Sequence, residues 1–204
     1  VGPLARVQNC DFIPTPRAEV ERQAFLAWGK GALVHATLAY HWARMIEVLH
    51  SVEVIAELLD NPALLSGDMV TTGVRQRSGV GIIEAPRGTL IHDYDVGDDD
   101  LVTRCNLIVS TTHNNQAMNE AVRAVARDYL DGRELTEGLL NHIEVAIRAY
   151  DPCLSCATHA LGQMPLDVAL VGPDGELIDR VVKSQPGEFK HDLTGPIGLT
   201  GLPA

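Results

Sequence analysis

At 204 residues, 46% of them hydrophobic, the chain is long enough to bury a core and is not a disordered polymer. Its 27 acidic against 16 basic residues, a formal charge of −11, exclude nucleic acid and anionic membrane as main partners, because both need clustered Lys and Arg. Four cysteines, only two of them close in sequence, are too sparse for a disulfide-stapled secreted domain and fit a reducing, cytoplasmic compartment, where a Cys pair is more often catalytic or metal-bound.

The first residues, Val1 to Arg6, carry no signal-peptide pattern and no initiator methionine. From 17 to 60, apolar side chains recur at steps of three and four, among them Leu38, Trp42, Met45, Ile46, Leu49, Val52 and Ile55. That spacing predicts one long helix, or a helical pair divided near Gly29 and Gly31, ended by Asn61-Pro62. His35, His41 and His50 fall on this segment at spacings that share no helix face, so they read as structural rather than metal-binding.

The period then changes. "VGIIEAPRGTLIHDYDV" and "DDLVTRCNLIVSTTHN" are short β-rich runs separated by Gly97 and the acidic cluster 98–100, and predict a small antiparallel sheet over about 79–110. Helical spacing returns at 116–130 and 136–150. In the second of these, Leu139, Ile143, Ala146, Ile147 and Tyr150 form one apolar stripe, with Thr136 as candidate N-cap. Beyond residue 159, "MPLDVALVGPDGELIDRVV" predicts two alternating strands around a Pro-Asp-Gly turn, followed from Lys183 by a polar tail expected to be poorly ordered. The expected fold class is therefore α+β: a mostly helical lobe with long helices, a small antiparallel sheet and a C-terminal β-hairpin. No stretch is apolar and uninterrupted enough to span a bilayer, so the chain is not expected to be transmembrane.

The chemistry concentrates where the 136–150 helix ends, in Asp151-Pro152-Cys153-Leu154-Ser155-Cys156-Ala157-Thr158-His159. Thiolates and imidazole at this spacing suit a soft or borderline metal, but Cys-x-x-Cys alone is shared by thioredoxin-like dithiols and zinc corners. The zinc reading needs a second pair, and the dithiol reading wants the pair after a strand; here it follows a helix. Cys10 and Cys105 stand apart from each other and from this pair, and read as buried small hydrophobes.

The nonapeptide at 151–159 closely resembles the C-terminal signature of the large subunit of nickel–iron hydrogenases, Asp-Pro-Cys-x-x-Cys-x-x-His or Arg. Three further stretches resemble the family in the same order: "VGPLAR" at the start, "EAPRG" at 84–88 and "NLIVSTTHN" at 106–114. The resemblance implies that Cys153 is a terminal nickel ligand and Cys156 a thiolate bridging nickel and iron. It implies a magnesium ion held by His159 and the backbone carbonyl of Leu107. Arg87 would stand over the open metal position, oriented by Asp151, while Ser110 and Thr111 would line the cyanide and carbonyl ligands of the iron. Two departures concern this last loop, where the family usually has Pro in place of Ser110 and Trp in place of His113.

The family's other two metal cysteines come from an N-terminal Arg-x-Cys-Gly-x-Cys motif, which does not occur here. The resemblance thus implies a C-terminal portion of a large subunit, residues 1–159, that needs a complementary N-terminal segment to hold the centre. Residues 160–204 would be an extension, removed by a maturation endopeptidase or kept in this branch. The "ALGQMPL" continuation resembles the cytoplasmic, cofactor-reducing branch. No Gly-x-Gly-x-x-Gly follows a strand, so NAD- or deazaflavin-reducing sites would lie on partner subunits, and iron–sulfur clusters on a small subunit. The expected activity is reversible heterolytic cleavage of hydrogen by a heteromeric complex. The alternatives are a non-catalytic, truncated or immature large-subunit-like module, and an unrelated metal-binding or dithiol module.

Overall fold

The computed structural model describes residues 1–67, 69–153, 166–184 and 188–193. Its elements run α1 (Gly2–Asn9), α2 (Pro16–Trp28), α3 (Ala39–Leu59), a 3-10 turn at Pro62–Leu65, β1 (Ser78–Ala85), β2 (Gly88–Val96), β3 (Val102–Ile108), α4 (Ser110–His113), α5 (Asn115–Tyr129), α6 (Glu137–Ala149), β4 (Leu166–Val171), β5 (Leu177–Ser184) and β6 (Glu188–His191). This is the α+β class expected. Contacts divide the chain into one unit of residues 1–118 with 148–152, and a second of 119–147 with 153–204. Among the described residues no helix is long and apolar enough to cross a membrane.

In the first unit the 17–60 segment is a pair of helices rather than one. Lys30 and Gly31 take left-handed backbone angles, φ 52° and 84°, directly after Gly29, which no continuing helix tolerates. α2 buries Ala18, Arg22 and Phe25, and α3 buries Ala39, Tyr40, Ala43 and Ile46. Phe25 meets Trp42 edge to face at 5.1 Å. The N-terminus of α2 is capped from a distance. Thr15 stands at the cap position, but its hydroxyl pairs with His50 Nδ1 at 2.9 Å, and the Glu53 carboxylate of α3 instead accepts from the amides of Arg17 (3.1 Å) and Ala18 (2.9 Å). Burial alone would raise the pKa of Glu53, yet these amide donors hold it below the usual carboxylate range. His50 is thereby a structural partner, as its spacing suggested.

The sheet of the first unit is β1-β2-β3, antiparallel throughout. Ala85 pairs with Gly88, so Pro86 and Arg87 are the two central residues of a tight hairpin, and Gly88 has φ 137°. Every residue of β3 is exposed. Cys105 lies on this edge strand and is exposed, contrary to the expectation of a buried small hydrophobe; Cys10 is half-buried, its Sγ 3.7 Å from Val7 O. An edge strand has no neighbour on one side, and neither face of β3 is covered, so the usual burial of a free cysteine has nothing to act through.

The second unit joins α5 and α6 to the sheet β4-β5-β6. Leu135, Leu139, Leu140, Ile143 and Val181 form its buried core, with Leu166, Val168, Leu170 and Phe189 packed against it. Thr136 is the N-cap of α6, accepting from the Leu139 amide at 3.2 Å, and the expected stripe is buried at Leu139, Ile143, Ala146 and Tyr150. The polar tail departs from expectation. β5 continues to Ser184, and β6 pairs with it antiparallel through Val181↔His191 to Ser184↔Glu188. Phe189 reaches the core, and His191 Nδ1 lies 2.9 Å from Asp179 Oδ1, which anchors a strand containing one apolar residue. Burial works against charge on Asp179, but the Leu135 amide at 2.6 Å, His191 and the Arg180 amide together hold its pKa below the usual range.

Candidate functional site

The hairpin turn 85–88 is fixed by a side chain from far away in sequence. Arg6 of α1 donates to Ala85 O (3.0 Å) and Pro86 O (2.8 Å), and grips Glu47 of α3 with Nε and Nη2 at 2.7 and 2.8 Å. A second carboxylate, Glu84, lies 3.0 Å from Nη1. All five guanidinium contacts go to acceptors, and the Glu47 pairing is the main cause of a raised Arg6 pKa. Thr89, then Arg6, hold Glu84 below the carboxylate range. α1 approaches the turn so closely that a Cβ at Gly2 would stand 2.8 Å from Arg87 O; only glycine fits there, at φ 51°.

The far side of the turn is held by the segment after β3. Ser110, almost fully buried, aims its Oγ at Gly88 O (2.7 Å) and Thr89 O (3.0 Å), and Asn114 Nδ2 donates to Arg87 O at 2.8 Å. A serine has one hydroxyl proton, and this arrangement directs it to backbone carbonyls. Asn114 Oδ1 is buried without a hydrogen-bond partner among the described residues. Thr111 is buried beside Ser110. Leu107 sits on β3 opposite His92 and is exposed. Gly2, Arg6, Glu84, Thr89, His113 and Asn114 surround an open cleft of about 600 Å3 next to the turn.

With its backbone held on both sides, Arg87 extends its side chain to Asp151. Its Nε donates to Asp151 O and lies 3.3 Å from Asp151 Oδ2; both side chains are part-exposed. Asp151 has φ 51°, a left-handed conformation that ends α6, and its amide returns to Arg148 O at 3.0 Å. The helix end is itself pinned. Arg44 of α3 donates to Ala149 O (3.0 Å), the Tyr150 hydroxyl donates to Ala117 O (3.1 Å), and the Tyr150 ring packs on Tyr40 at 4.4 Å. Burial raises the pKa of both tyrosines, keeping the phenols protonated as donors.

The structure thus brings together Arg87, Asp151, Ser110 and Thr111 within the first unit. Cys153, half-buried, follows two residues after Asp151, and its sulfur is disulfide-bonded. Cys156 and His159 lie outside the described residues. Among the described residues no group of three or more His, Cys, Asp or Glu side chains is placed to hold a metal ion. Reduced to a thiolate, Cys153 would offer one soft sulfur donor suited to nickel or iron. Sequence reasoning missed Arg6, Glu47 and Asn114. The "VGPLAR" stretch contains Arg6, but nothing local to it shows that its side chain reaches a turn 80 residues on.

Comparison with known proteins places the chain in a family. The nickel-dependent hydrogenase family model matches residues 1–159. The chain is 52% identical over 183 residues to the beta subunit of the NAD-reducing hydrogenase HoxS of Cupriavidus necator, a match covering 88% of this chain and 38% of that protein. It is 42% identical over 184 residues to an iron-sulfur subunit of the F420-non-reducing hydrogenase of Archaeoglobus profundus, covering 89% and 38%. A crystal structure of an NAD+-reducing [NiFe]-hydrogenase in the H2-reduced state superposes with a TM-score of 0.73 at 62% identity, over 78% of this chain and 35% of that one. The chain spans 38% of the length of these curated relatives. With its residues 1–159 matched from the α1 helix through the Asp151 turn to His159, the chain belongs to the nickel-dependent hydrogenase family.

Proposed function

We propose that the chain is the C-terminal portion of a hydrogenase large subunit which, once assembled with the complementary N-terminal segment, takes part in the reversible conversion of hydrogen to two protons and two electrons. The observation that supports this most is the clamp on Arg87: its turn is fixed by Arg6, Ser110 and Asn114, and its guanidinium meets the residue that opens Asp-Pro-Cys. In this reading residues 1–159 belong to the catalytic subunit, while residues 160–204 form an extension.

Cys153, Cys156 and the two cysteines of the N-terminal segment would hold a nickel–iron centre carrying cyanide and carbonyl on iron, with magnesium nearby at His159 and the Leu107 carbonyl. That centre supplies the Lewis acidity and redox capacity that heterolytic cleavage requires. The rest falls to this chain's own side chains. Arg87 would present its cation to the reacting position, and its contact with Asp151 lowers the reorganisation a free arginine would undergo. A thiolate of that cysteine set would serve as base for the proton, since sulfur is the base the motif provides. Thr111, with the backbone amides of its buried turn, would line the iron's ligands; Ser110 would line them too, but its hydroxyl is directed at the 88–89 carbonyls and so acts on the position of Arg87.

Electrons would leave through an iron–sulfur small subunit in the cytoplasm, toward NAD- or deazaflavin-reducing subunits. The test is co-expression with an N-terminal segment bearing Arg-x-Cys-Gly-x-Cys, followed by nickel analysis and infrared spectroscopy. Stoichiometric nickel with bands of iron-bound cyanide and carbonyl is the expected result; absence of both overturns the reading in favour of a non-catalytic module.

A further inference from the structure

The contact between Arg87 and Asp151 joins two turns 64 residues apart in sequence, and each turn is anchored separately. Both anchors end on one turn of α3. Glu47 takes Arg6 in a two-point grip, at 2.7 and 2.8 Å, and Arg6 holds the carbonyls of Ala85 and Pro86 in the hairpin that carries Arg87. Arg44, one helical turn earlier, donates from Nη2 to Ala149 O at 3.0 Å, at the end of the helix that leads into Asp151. Side chains at i and i+3 are neighbours on a helix surface, about 4.5 Å apart along its axis, so the two anchors refer to the same short piece of rigid backbone.

Asp151 needs such an anchor. It is not glycine yet has φ 51°, and a left-handed backbone in an ordinary residue persists only where its surroundings over-determine it. The last carbonyls of α6 have no partner within the helix, and a guanidinium at Ala149 O satisfies one of them and complements the negative end of the helix dipole. By contacts, residues 148–152 belong to the first unit, although the body of α6 belongs to the second. Arg44 supplies one of the bonds that tie this segment to the first unit, alongside the Tyr150 hydroxyl on Ala117 O and the Tyr150 ring on Tyr40.

We propose that Arg44 and Glu47 are positioning residues for the reaction: from one turn of α3 they set the spacing between the Asp151 turn and the Arg87 turn, and so the placement of the Arg87 guanidinium. Neither touches a reacting atom. Arg44 acts through Ala149 and Asp151, and Glu47 through Arg6 and the hairpin. The proposal rests on the role given to Arg87 above.

Hydrogen exchange on the 204-residue chain, with no metal added, tests the two anchors. In Arg44→Met, which keeps an apolar stem but has no donor, the Asp151 amide, bonded to Arg148 O, should exchange at least about tenfold faster while the β1 and β2 amides beside the hairpin are unchanged; Glu47→Gln should do the reverse. The assembled enzyme tests the function. Arg44→Met should lower kcat about tenfold, with KM for hydrogen and nickel content unchanged, and should shift the infrared band of iron-bound carbonyl. Arg44→Lys, which still offers a donor to Ala149 O, should restore kcat to within about threefold of the parent. In an Arg87→Lys background the directed contact with Asp151 is already gone, so Arg44→Met should lower kcat by less than about twofold more, whereas an arginine that only stabilises the fold would multiply the two losses. Unchanged exchange at Asp151, an unshifted carbonyl band, no rescue by lysine, or multiplied losses in the double variant would each overturn the proposal. A parent complex without nickel would overturn the catalytic reading, and with it the role in the reaction, while exchange alone still decides whether the anchors hold the two turns.

Discussion

Replacing Arg6 with alanine tests whether a side chain of α1 sets the position of Arg87. Arg6 makes contacts of 2.7–3.0 Å to two carboxylates and two carbonyls, and both it and Glu47 are about a quarter exposed. Hydrogen bonds to a charged group are worth roughly 1.5–3 kcal/mol each when buried, but they are not additive and solvent screens these. About 2–3 kcal/mol is therefore expected for the loss of the whole set. Lysine should lose about 1–2 kcal/mol, because a single ammonium cannot hold Glu47 by two atoms while also reaching both carbonyls. The opening is local, so native-state hydrogen exchange is the direct assay. Amides of β1 and β2 flanking the turn should lose about 30- to 150-fold protection in Arg6→Ala, at about 1.4 kcal/mol per decade. The α6 core around Leu140, in the other unit, should keep its protection. If protection at β1 and β2 falls less than threefold, or if lysine restores it fully, the clamp is not what holds the turn.

Three further outcomes follow from the same geometry. Arg87→Lys in the assembled enzyme should lower the turnover of hydrogen about 100-fold with nickel content unchanged, since an ammonium does not reproduce the guanidinium's directed contact with Asp151; unchanged turnover would remove Arg87 from the reaction. Ser110→Ala should destabilise the chain by about 1–2 kcal/mol in urea unfolding, because the buried Gly88 carbonyl and the part-buried Thr89 carbonyl lose the hydroxyl they share. Glu19, held at about 2 by Arg22, then Gln23 and the Ile13 amide, has a folded pKa below its unfolded value of ~4.3. Its contribution is therefore complete above the unfolded value and lost as pH falls through about 2, so Glu19→Gln should flatten the acid limb of stability between those limits.

What the sequence discloses here depends on how far a residue's partner lies along the chain. The α6 stripe and its Thr136 cap are legible because both are local: a period of three and four, and a hydroxyl three residues from its amide. The Pro86-Arg87 hairpin, by contrast, lies inside a stretch that the sequence presents as one β-rich run. The clamp on that turn is not legible, because Arg6 and Ala85 are 79 residues apart and neither carries a local signature of the other. Glu53, 35 residues from the α2 N-terminus that it caps, is equally invisible, and so is β6, whose one apolar residue gives no alternation to detect.

α3 shows why periodicity alone stops short of packing. Its apolar residues are apparent in the sequence, and taken together they surround much of the helix, with Trp42, Ile46 and Leu49 interleaved among Met45, Val52 and Ile55. One helix face suffices for a helix lying on a surface, and apolar residues beyond that face signal a second neighbour. Periodicity counts the faces but does not order them, and the structure does: Ile46 is fully buried while Met45, the adjacent residue, is 60% exposed. Substituting Ile46 should therefore unfold the first unit, whereas substituting Val52 or Ile55 should leave it folded. Arg44, on α3, caps the end of α6 through Ala149 O, just ahead of Asp151. The order of the faces of α3 therefore also sets the helix end from which Asp151 meets Arg87.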